Sequence, residues 1–231
     1  KDVTLVHPGS WEPNFIGEEE GGVRALEIFK KLLDYSPPGS INNTYEISRE
    51  LWLTGKVAMA TSHQCWPRQS FDPELSKISP LTTDNIIEVH PYPQGTTRRE
   101  PLNWTTTYLG IPKTCKHPEL AFLWSVFMCS QESSTILGCS GTGVESGFVQ
   151  VISNPLVWKA QPAYRIVWET AYTAWGEPFC FIPEGYAIEE AAGEEIYRYL
   201  AGEVKDPKEA LRRAEERVRK ILEKGGYLKP G

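Results

Sequence analysis

Leu53-Thr54-Gly55-Lys56-Val57-Ala58-Met59-Ala60-Thr61 is the stretch on which the fold turns. Ahead of it, Ile47, Leu51 and Trp52 recur at helical steps, so Tyr45 to Thr54 reads as a short helix with those residues inward. Gly55 ends that helix and opens Val57 to Thr61, an apolar run that reads as a strand buried on both faces. A helix followed at once by a buried strand is the junction of an α/β protein with a largely parallel or mixed sheet.

The flanking segments extend the pattern in both directions. Upstream, the opening stretch carries strand-like Val3 to Val6 and then a Pro/Gly/Glu-rich loop. Val23, Leu26, Phe29 and Leu33 follow at steps of three and four, an amphipathic helix from Gly22 to Tyr35 that Pro37-Pro38-Gly39 stops. Downstream, a Pro-rich connection holds Trp66, Pro67, Pro73 and Pro80, and further strands are predicted from Ile86 to Tyr92 and from Thr105 to Ile111. Pro118 opens a helix whose Leu120, Leu123, Trp124, Phe127 and Met128 make a broad apolar face, which predicts burial. Gly138 to Gly143 reads as a turn, with shorter helices between Pro155 and Trp175. Two long helices close the pattern, Glu184 to Leu200 and Pro207 to Glu223. The second has Asp206 as N-cap, Pro207 at its first position, Glu209 as capping-box acid and Gly225-Gly226 as its stop. On its outer face Glu215 with Arg219 and Glu216 with Lys220 have the spacing of ion pairs.

Composition excludes several classes. The formal charge of the 231 residues is −6, which disfavours a nucleic-acid or anionic-membrane surface. No apolar run approaches the roughly 20 residues that span a bilayer. Five cysteines are too few and too scattered for a disulfide framework or a zinc site. Cys129 and Cys139, the nearest pair, leave room for one bridge in an exported protein, against the commoner buried free thiol. His7, His63, His90 and His117 lie far apart with no second ligand at helical spacing, so no metal and no cofactor are expected. The Gly141-Thr142-Gly143 tract matches neither dinucleotide nor phosphate-loop spacing, and Ser140 sits outside any G-x-S-x-G elbow.

Aromatic residues carry more information. Eight Trp and ten Tyr include several beside hydrogen-bonding side chains: Trp11, Gln64-Cys65-Trp66-Pro67-Arg68, Asn103-Trp104-Thr105 and Trp175-Gly176-Glu177. A sugar ring offers a C–H face that an aromatic plane covers and a rim of hydroxyls that Arg, Asn, Gln and Glu bond, so such neighbourhoods suit a carbohydrate. Core packing is the competing reading, and it is the one taken for Trp52 and Trp124, which lie on helical apolar faces. Trp66, Trp104 and Trp175 stand between the two. Glu177 and Glu184, beside Phe179 and Phe181, could also serve as the acid pair of a glycoside hydrolase.

In order along the chain, Gly21-Gly22-Val23-Arg24-Ala25-Leu26-Glu27, Ser36-Pro37-Pro38-Gly39 and Leu53-Thr54-Gly55-Lys56-Val57-Ala58-Met59 resemble segments of the family 1 extracellular solute-binding proteins of ABC sugar importers. Leu109-Gly110-Ile111-Pro112-Lys113, Lys116-His117-Pro118-Glu119-Leu120-Ala121, Leu200-Ala201-Gly202, Glu209-Ala210-Leu211 and Gly225-Gly226-Tyr227 are similar to later segments in the same register. The resemblance covers residues 20 to 228. It implies a periplasmic-binding-protein-like type II α/β fold, two lobes closing at a hinge on a mono- or oligosaccharide that is handed to an ABC permease, in an extracellular or periplasmic setting at the membrane. No chemistry on the ligand is implied. The ligand-binding residues that the resemblance suggests are His63, Gln64, Trp66 and Arg68 after the buried strand, Asn103 and Trp104 before the Leu109-Gly110-Ile111 strand, and Trp175, Glu184 and Tyr186 ahead of the penultimate helix. Trp66 would stack on a sugar face.

Two departures qualify the resemblance. Members carry a Gly-Gly pair before the Leu-Gly-Ile strand, where this chain has Thr105-Thr106. They also carry a long N-terminal half-lobe ahead of the helix that begins here at Gly22. The expectation is a C-terminal portion of a longer protein: residues 1–100 and 153–231 in the second lobe, 101–152 returning to an incomplete first lobe. The missing N-terminal half is then a partner, and the Pro118 helix would be left uncovered without it.

Overall fold

A computed structural model describes residues 10–17, 20–61, 65–88, 90, 109–140, 146–171 and 182–229. They form ten α-helices: α1 Gly21–Leu32, α2 Tyr45–Leu53, α3 Cys65–Phe71, α4 Pro118–Met128, α5 Gln131–Ser140, α6 Val149–Ile152, α7 Pro155–Ala160, α8 Pro162–Ala171, α9 Gly185–Leu200 and α10 Pro207–Lys224, with short 3-10 turns at Leu33–Tyr35 and Ser40–Asn42. The chain divides into two compact units, Lys1–Thr44 with Pro178–Gly231, and Tyr45–Glu177.

The first unit is a helical core joined from the two ends of the sequence. α9 packs along α10, and α1 lies against both. Ile188, Ala191, Ala192 and Tyr199 of α9 meet Ala210, Leu211, Ala214, Val218 and Leu222 of α10, with Phe15 and Leu26 closing the cluster. Alanines at the crossing let the two backbones approach, and each fully buried aliphatic side chain contributes about 1.5–3 kcal/mol. Asp206 caps α10 through Oδ1, which accepts from the Lys208 amide at 3.0 Å, and Pro207 holds the first helical position. At the other end Gly226, at φ 80°, takes the left-handed conformation, and the amides of Gly226 and Tyr227 return to the carbonyls of Glu223 and Leu222. The charged face differs from the expected i,i+4 ladder. Glu215 accepts from the Phe15 and Ile16 amides at 2.9 and 3.1 Å, leaving Arg219 to pair with Glu12. The i,i+4 pair that forms is Glu209 with Arg213, at 2.8 Å, so Glu209 serves an ion pair where a capping box was expected.

Glu195 is a buried carboxylate within this unit, held between Arg217 Nη1 at 3.0 Å and Arg198 Nη1 at 3.4 Å. Beside it, hydrogen bonding to Glu194 is the main cause raising the Arg217 pKa. Lys30 sits over the Tyr199 ring, 4.4 Å from its centre, and donates to the Tyr199 carbonyl at 3.0 Å. Burial first, then the charges of Glu27 and Asp206, raises the Tyr199 phenol above its ordinary value.

The second unit holds α2 to α8. Trp52 donates its indole N–H to Ser70 Oγ at 2.7 Å, and the Ser70 hydroxyl donates in turn to the Trp66 carbonyl at 2.7 Å, which ties α2 to α3. Gly55, at φ 73°, lets the chain leave α2, and the Lys77 amide bonds the Leu53 carbonyl at 2.9 Å. Farther on, Val151, Ile152, Val157 and Tyr164 make a separate small core joined by Trp158 and Trp168.

Several expectations are corrected. Among the described residues no strand forms; the predicted strand at Val3 to Val6 and most of those at 86–92 and 105–111 lie outside them, so the expected α/β sheet is neither borne out nor overturned here. Val57 to Thr61, predicted to be buried on both faces, is largely exposed, with Met59 at 89%. The described parts of the other two predicted strands, around Ile86 and from Leu109 to Ile111, are also open. Strand pairing is non-local, and the physical reason these segments stay open is that nothing described here lies alongside them. α4 has the predicted boundaries but not the predicted burial, since Leu120, Leu123, Trp124 and Phe127 are all exposed. Trp124 is therefore not a core residue of this chain. Gly138 lies within α5 and not in a turn, packed so closely on Val157 that an added Cβ would sit 3.3 Å from a Val157 methyl. Cys115, Cys129 and Cys139 are free thiols, which removes the Cys129–Cys139 bridge.

Candidate functional site

Of the residues expected to bind a ligand, the described structure places Trp66 and Arg68 in the second unit and Glu184 and Tyr186 in the first. His63, Gln64, Asn103, Trp104 and Trp175 lie outside the described residues, as does Glu177 of the acid pair.

α3 positions the first group. Pro67 falls within its first turn, where a missing amide costs nothing, and the helix turns Trp66 and Ser70 together toward α2. Trp66 is only 3% exposed; its indole N–H donates to the Tyr45 hydroxyl at 2.8 Å and its ring meets the Tyr45 ring, centres 5.4 Å apart at 58°. An indole so engaged has no open face, so the stacking role expected of Trp66 is corrected to packing. One turn on, Gln69 accepts from Arg49 Nε at 2.6 Å. Arg68 is half-buried, and its Nε is buried without a hydrogen-bond partner. A guanidinium held this way keeps a donor for a hydroxyl oxygen.

α9 positions the second group. Glu184 precedes its first residue, where the helix dipole favours a negative charge, but its side chain does not cap the helix. Glu184 Oε2 is buried and unpartnered, and the carboxyl carbon lies 3.2 Å from where a Cβ on Gly225 would stand. That Cβ would meet the Tyr227 ring first, at 2.7 Å, so the glycine makes room chiefly for Tyr227 and secondarily for this carboxylate. Beyond Gly225, Tyr227 stacks against Trp11 with ring centres 4.8 Å apart. Trp11, one of the aromatic neighbourhoods singled out above, is thus drawn into packing. Tyr186, by contrast, is 90% exposed and offers an entire phenol ring.

Sequence reading missed α3, and with it the inward turn of Arg68. The available signal was the pairing of Trp66 with Ser70 and of Pro67 with a first-turn position. Among the described residues no group of three or more His, Cys, Asp or Glu is placed to hold a metal ion, and no helix is long and apolar enough to cross a membrane.

No protein-family model and no curated protein matches the chain. Solved structures do. The chain is similar to an ABC transporter solute-binding protein from Agrobacterium radiobacter K84 in complex with ribitol, with a TM-score of 0.75 and 20% identity over 94% of this chain and 53% of that one. It is also similar to an ABC transporter solute-binding protein from Agrobacterium vitis S4 with bound D-mannitol, with a TM-score of 0.69 and 20% identity over 95% of this chain and 55% of that one. The fold is that of part of such proteins, and the chain spans about half the length of the solved chains it matches.

Proposed function

We propose that this chain is part of the ligand-binding component of an ABC importer, taking a sugar or sugar alcohol in a cleft between two lobes and passing it to a membrane permease outside the cytoplasm. The observation that carries this reading is the match of nearly the whole chain to solute-binding proteins whose bound ligands are both linear polyols. Ribitol and mannitol are neutral and bear a hydroxyl on every carbon, so recognition would rest on many hydrogen bonds and little charge. The acidic balance of this chain suits such a cargo. The lobes follow the family topology, with residues 1–100 and 153–231 in the second lobe and 101–152 in the first. The remainder of the first lobe comes from polypeptide beyond these residues.

In this reading Arg68 and Glu184, each with an unpartnered buried polar atom, and Tyr186, with its exposed ring, are among the ligand residues. His63, Gln64, Asn103, Trp104 and Trp175 complete the set. A ligand touching both lobes stabilises the closed arrangement over the open one. It is released unaltered, since the protein performs no reaction on it.

Calorimetric titration of the protein carrying its complete solute-binding fold tests this, using ribitol, D-mannitol, glucose and a disaccharide. Saturable binding of at least one of them, weakened about tenfold or more by Arg68→Ala, is the expected result, since a lost hydrogen bond to a charged group costs about 1.5–3 kcal/mol. Binding of none overturns the reading, and recovery of a cleaved or oxidised sugar overturns its non-enzymatic part.

A further inference from the structure

Asn42-Asn43-Thr44 has the Asn-x-Thr pattern read by enzymes that attach glycans to asparagine amides, and it lies apart from the candidate ligand residues. The pattern recurs at Asn103-Trp104-Thr105, outside the described residues. Such tripeptides arise readily by chance, so the placement of the asparagine has to decide whether one can serve as an acceptor.

The loop carrying Asn42 leaves α1 through Pro37-Pro38 and Gly39, whose φ of 83° opens the 3-10 turn Ser40–Asn42. The amides of Asn42 and Asn43 close that turn on the carbonyls of Gly39 and Ser40, at 2.9 and 3.1 Å. Asn43 then takes an extended conformation, φ −70° and ψ 133°, and in extended chain the two residues flanking a position share a side. Exposure agrees, since Asn42 and Thr44 are exposed and Asn43 is half-buried.

The carboxamide itself is held by one end. Tyr197 of α9 donates its hydroxyl proton to Asn42 Oδ1 at 2.9 Å, whereas Asn42 Nδ2 makes no hydrogen bond in the described structure. Asn42, Thr44 and Tyr197 all belong to the unit Lys1–Thr44 with Pro178–Gly231, so the arrangement is complete within one compact body. An exposed turn on a packed helical core, with the amide oxygen anchored and the nitrogen unengaged, presents the acceptor atom of an N-linked glycan.

We propose that Asn42 is an N-glycosylation site, with Nδ2 as acceptor and, as donor, a glycan esterified through its anomeric oxygen to a lipid-bound phosphate. In the transfer Nδ2 forms a bond to the anomeric carbon of the first sugar. The bond from that carbon to the phosphate-ester oxygen breaks with its electron pair, the lipid phosphate leaves, and the nitrogen gives up one proton. Nothing is oxidised or reduced. Thr44 supplies the hydroxyl two residues on that the pattern requires, and a serine there would supply it too. The inference rests on the reading that the protein works outside the cytoplasm and not on the identity of its ligand.

The test isolates the protein from the cells that make it and maps its peptides by mass spectrometry, while protease shaving of intact cells reports its location independently. The peptide containing Asn42 should carry the mass of a sugar chain, assigned to the Asn42 side chain by electron-transfer fragmentation. Thr44→Ala should remove that mass and Thr44→Ser should keep it, and both leave the bond between Asn42 and Tyr197 in place. Asn42→Gln, which keeps an amide one carbon farther out, should also lose it. An unmodified Asn42 in protein that shaving finds outside the cell overturns the inference alone. Protein found only in the cytoplasm overturns the location reading and the inference with it. A sugar mass that survives both Thr44→Ala and Asn42→Gln belongs to another residue or to uncatalysed glycation, and it too overturns the inference.

Discussion

At the scale of single residues, the first unit is fixed by contacts that tolerate little change. Gly22 sits where an added Cβ would lie 1.7 Å from the Phe15 carbonyl oxygen, and its amide bonds the Ile16 carbonyl at 2.9 Å. No rotamer relieves a clash between two backbones. Gly22→Ala should therefore lower stability by about 2 kcal/mol or more, read from urea unfolding followed at 222 nm, and an unchanged midpoint would contradict this packing. Tyr199 makes a second prediction. Because burial raises its phenol pKa in the fold, the neutral ring favours the native state. Its stabilising share is complete below the ordinary phenol value of about 10 and is lost as pH rises through the raised one. Absorbance titration should show a late-ionising tyrosine that disappears in Tyr199→Phe. A late step that persists in the variant would assign it to another residue.

At the scale of elements, what could be read from sequence divides by the range of the interactions involved. α1, α2, α4, α9 and α10 fall within a few residues of their predicted bounds because periodicity, Asp206, Pro118 and Pro207 are local signals. α3 was hidden because Pro67 reads as a breaker, although a first-turn proline is compatible with a helix. α5 was hidden because Gly138 reads as a turn, although its missing side chain makes room for Val157. The strand expected at 57–61 is absent for a different reason: apolar character marks a segment as suited to a sheet but cannot say whether a partner lies beside it. What the sequence offers for the candidate site is a set of residues to consider, not their contacts. Aromatic and polar neighbours pointed to Trp66 and Arg68 and the family resemblance to Glu184 and Tyr186, whereas the engagement of Trp66 with Tyr45 depends on a contact between two helices. If Trp66 is a packing residue, Trp66→Phe should cost about 1 kcal/mol through the lost bond to Tyr45 and leave polyol affinity unchanged. A fall in affinity at unchanged stability would return it to the ligand.

At the scale of the whole molecule, the two units differ in how far each is enclosed. α9 and α10 bury one face along their full length, whereas α4 buries only a stripe. Amide exchange in the 231-residue chain should accordingly be slowest in α9 and α10 and faster by orders of magnitude in α4, where each opening exposes little that is not already wet. Uniform protection across the three helices would show that α4 is covered after all.

The first unit draws Phe15 and Leu26 from one end of the sequence and Ile188 to Leu222 from the other, with the second unit threaded between them. During synthesis, α1 emerges from the ribosome long before α9 and α10 and has nothing to lie against until they follow. The intervening 45–177 can collapse first, as a bracketed clause is finished before its sentence. Packing of α1 therefore waits until residues 185–224 have left the ribosome, so the two units can acquire their cores at different moments of one synthesis.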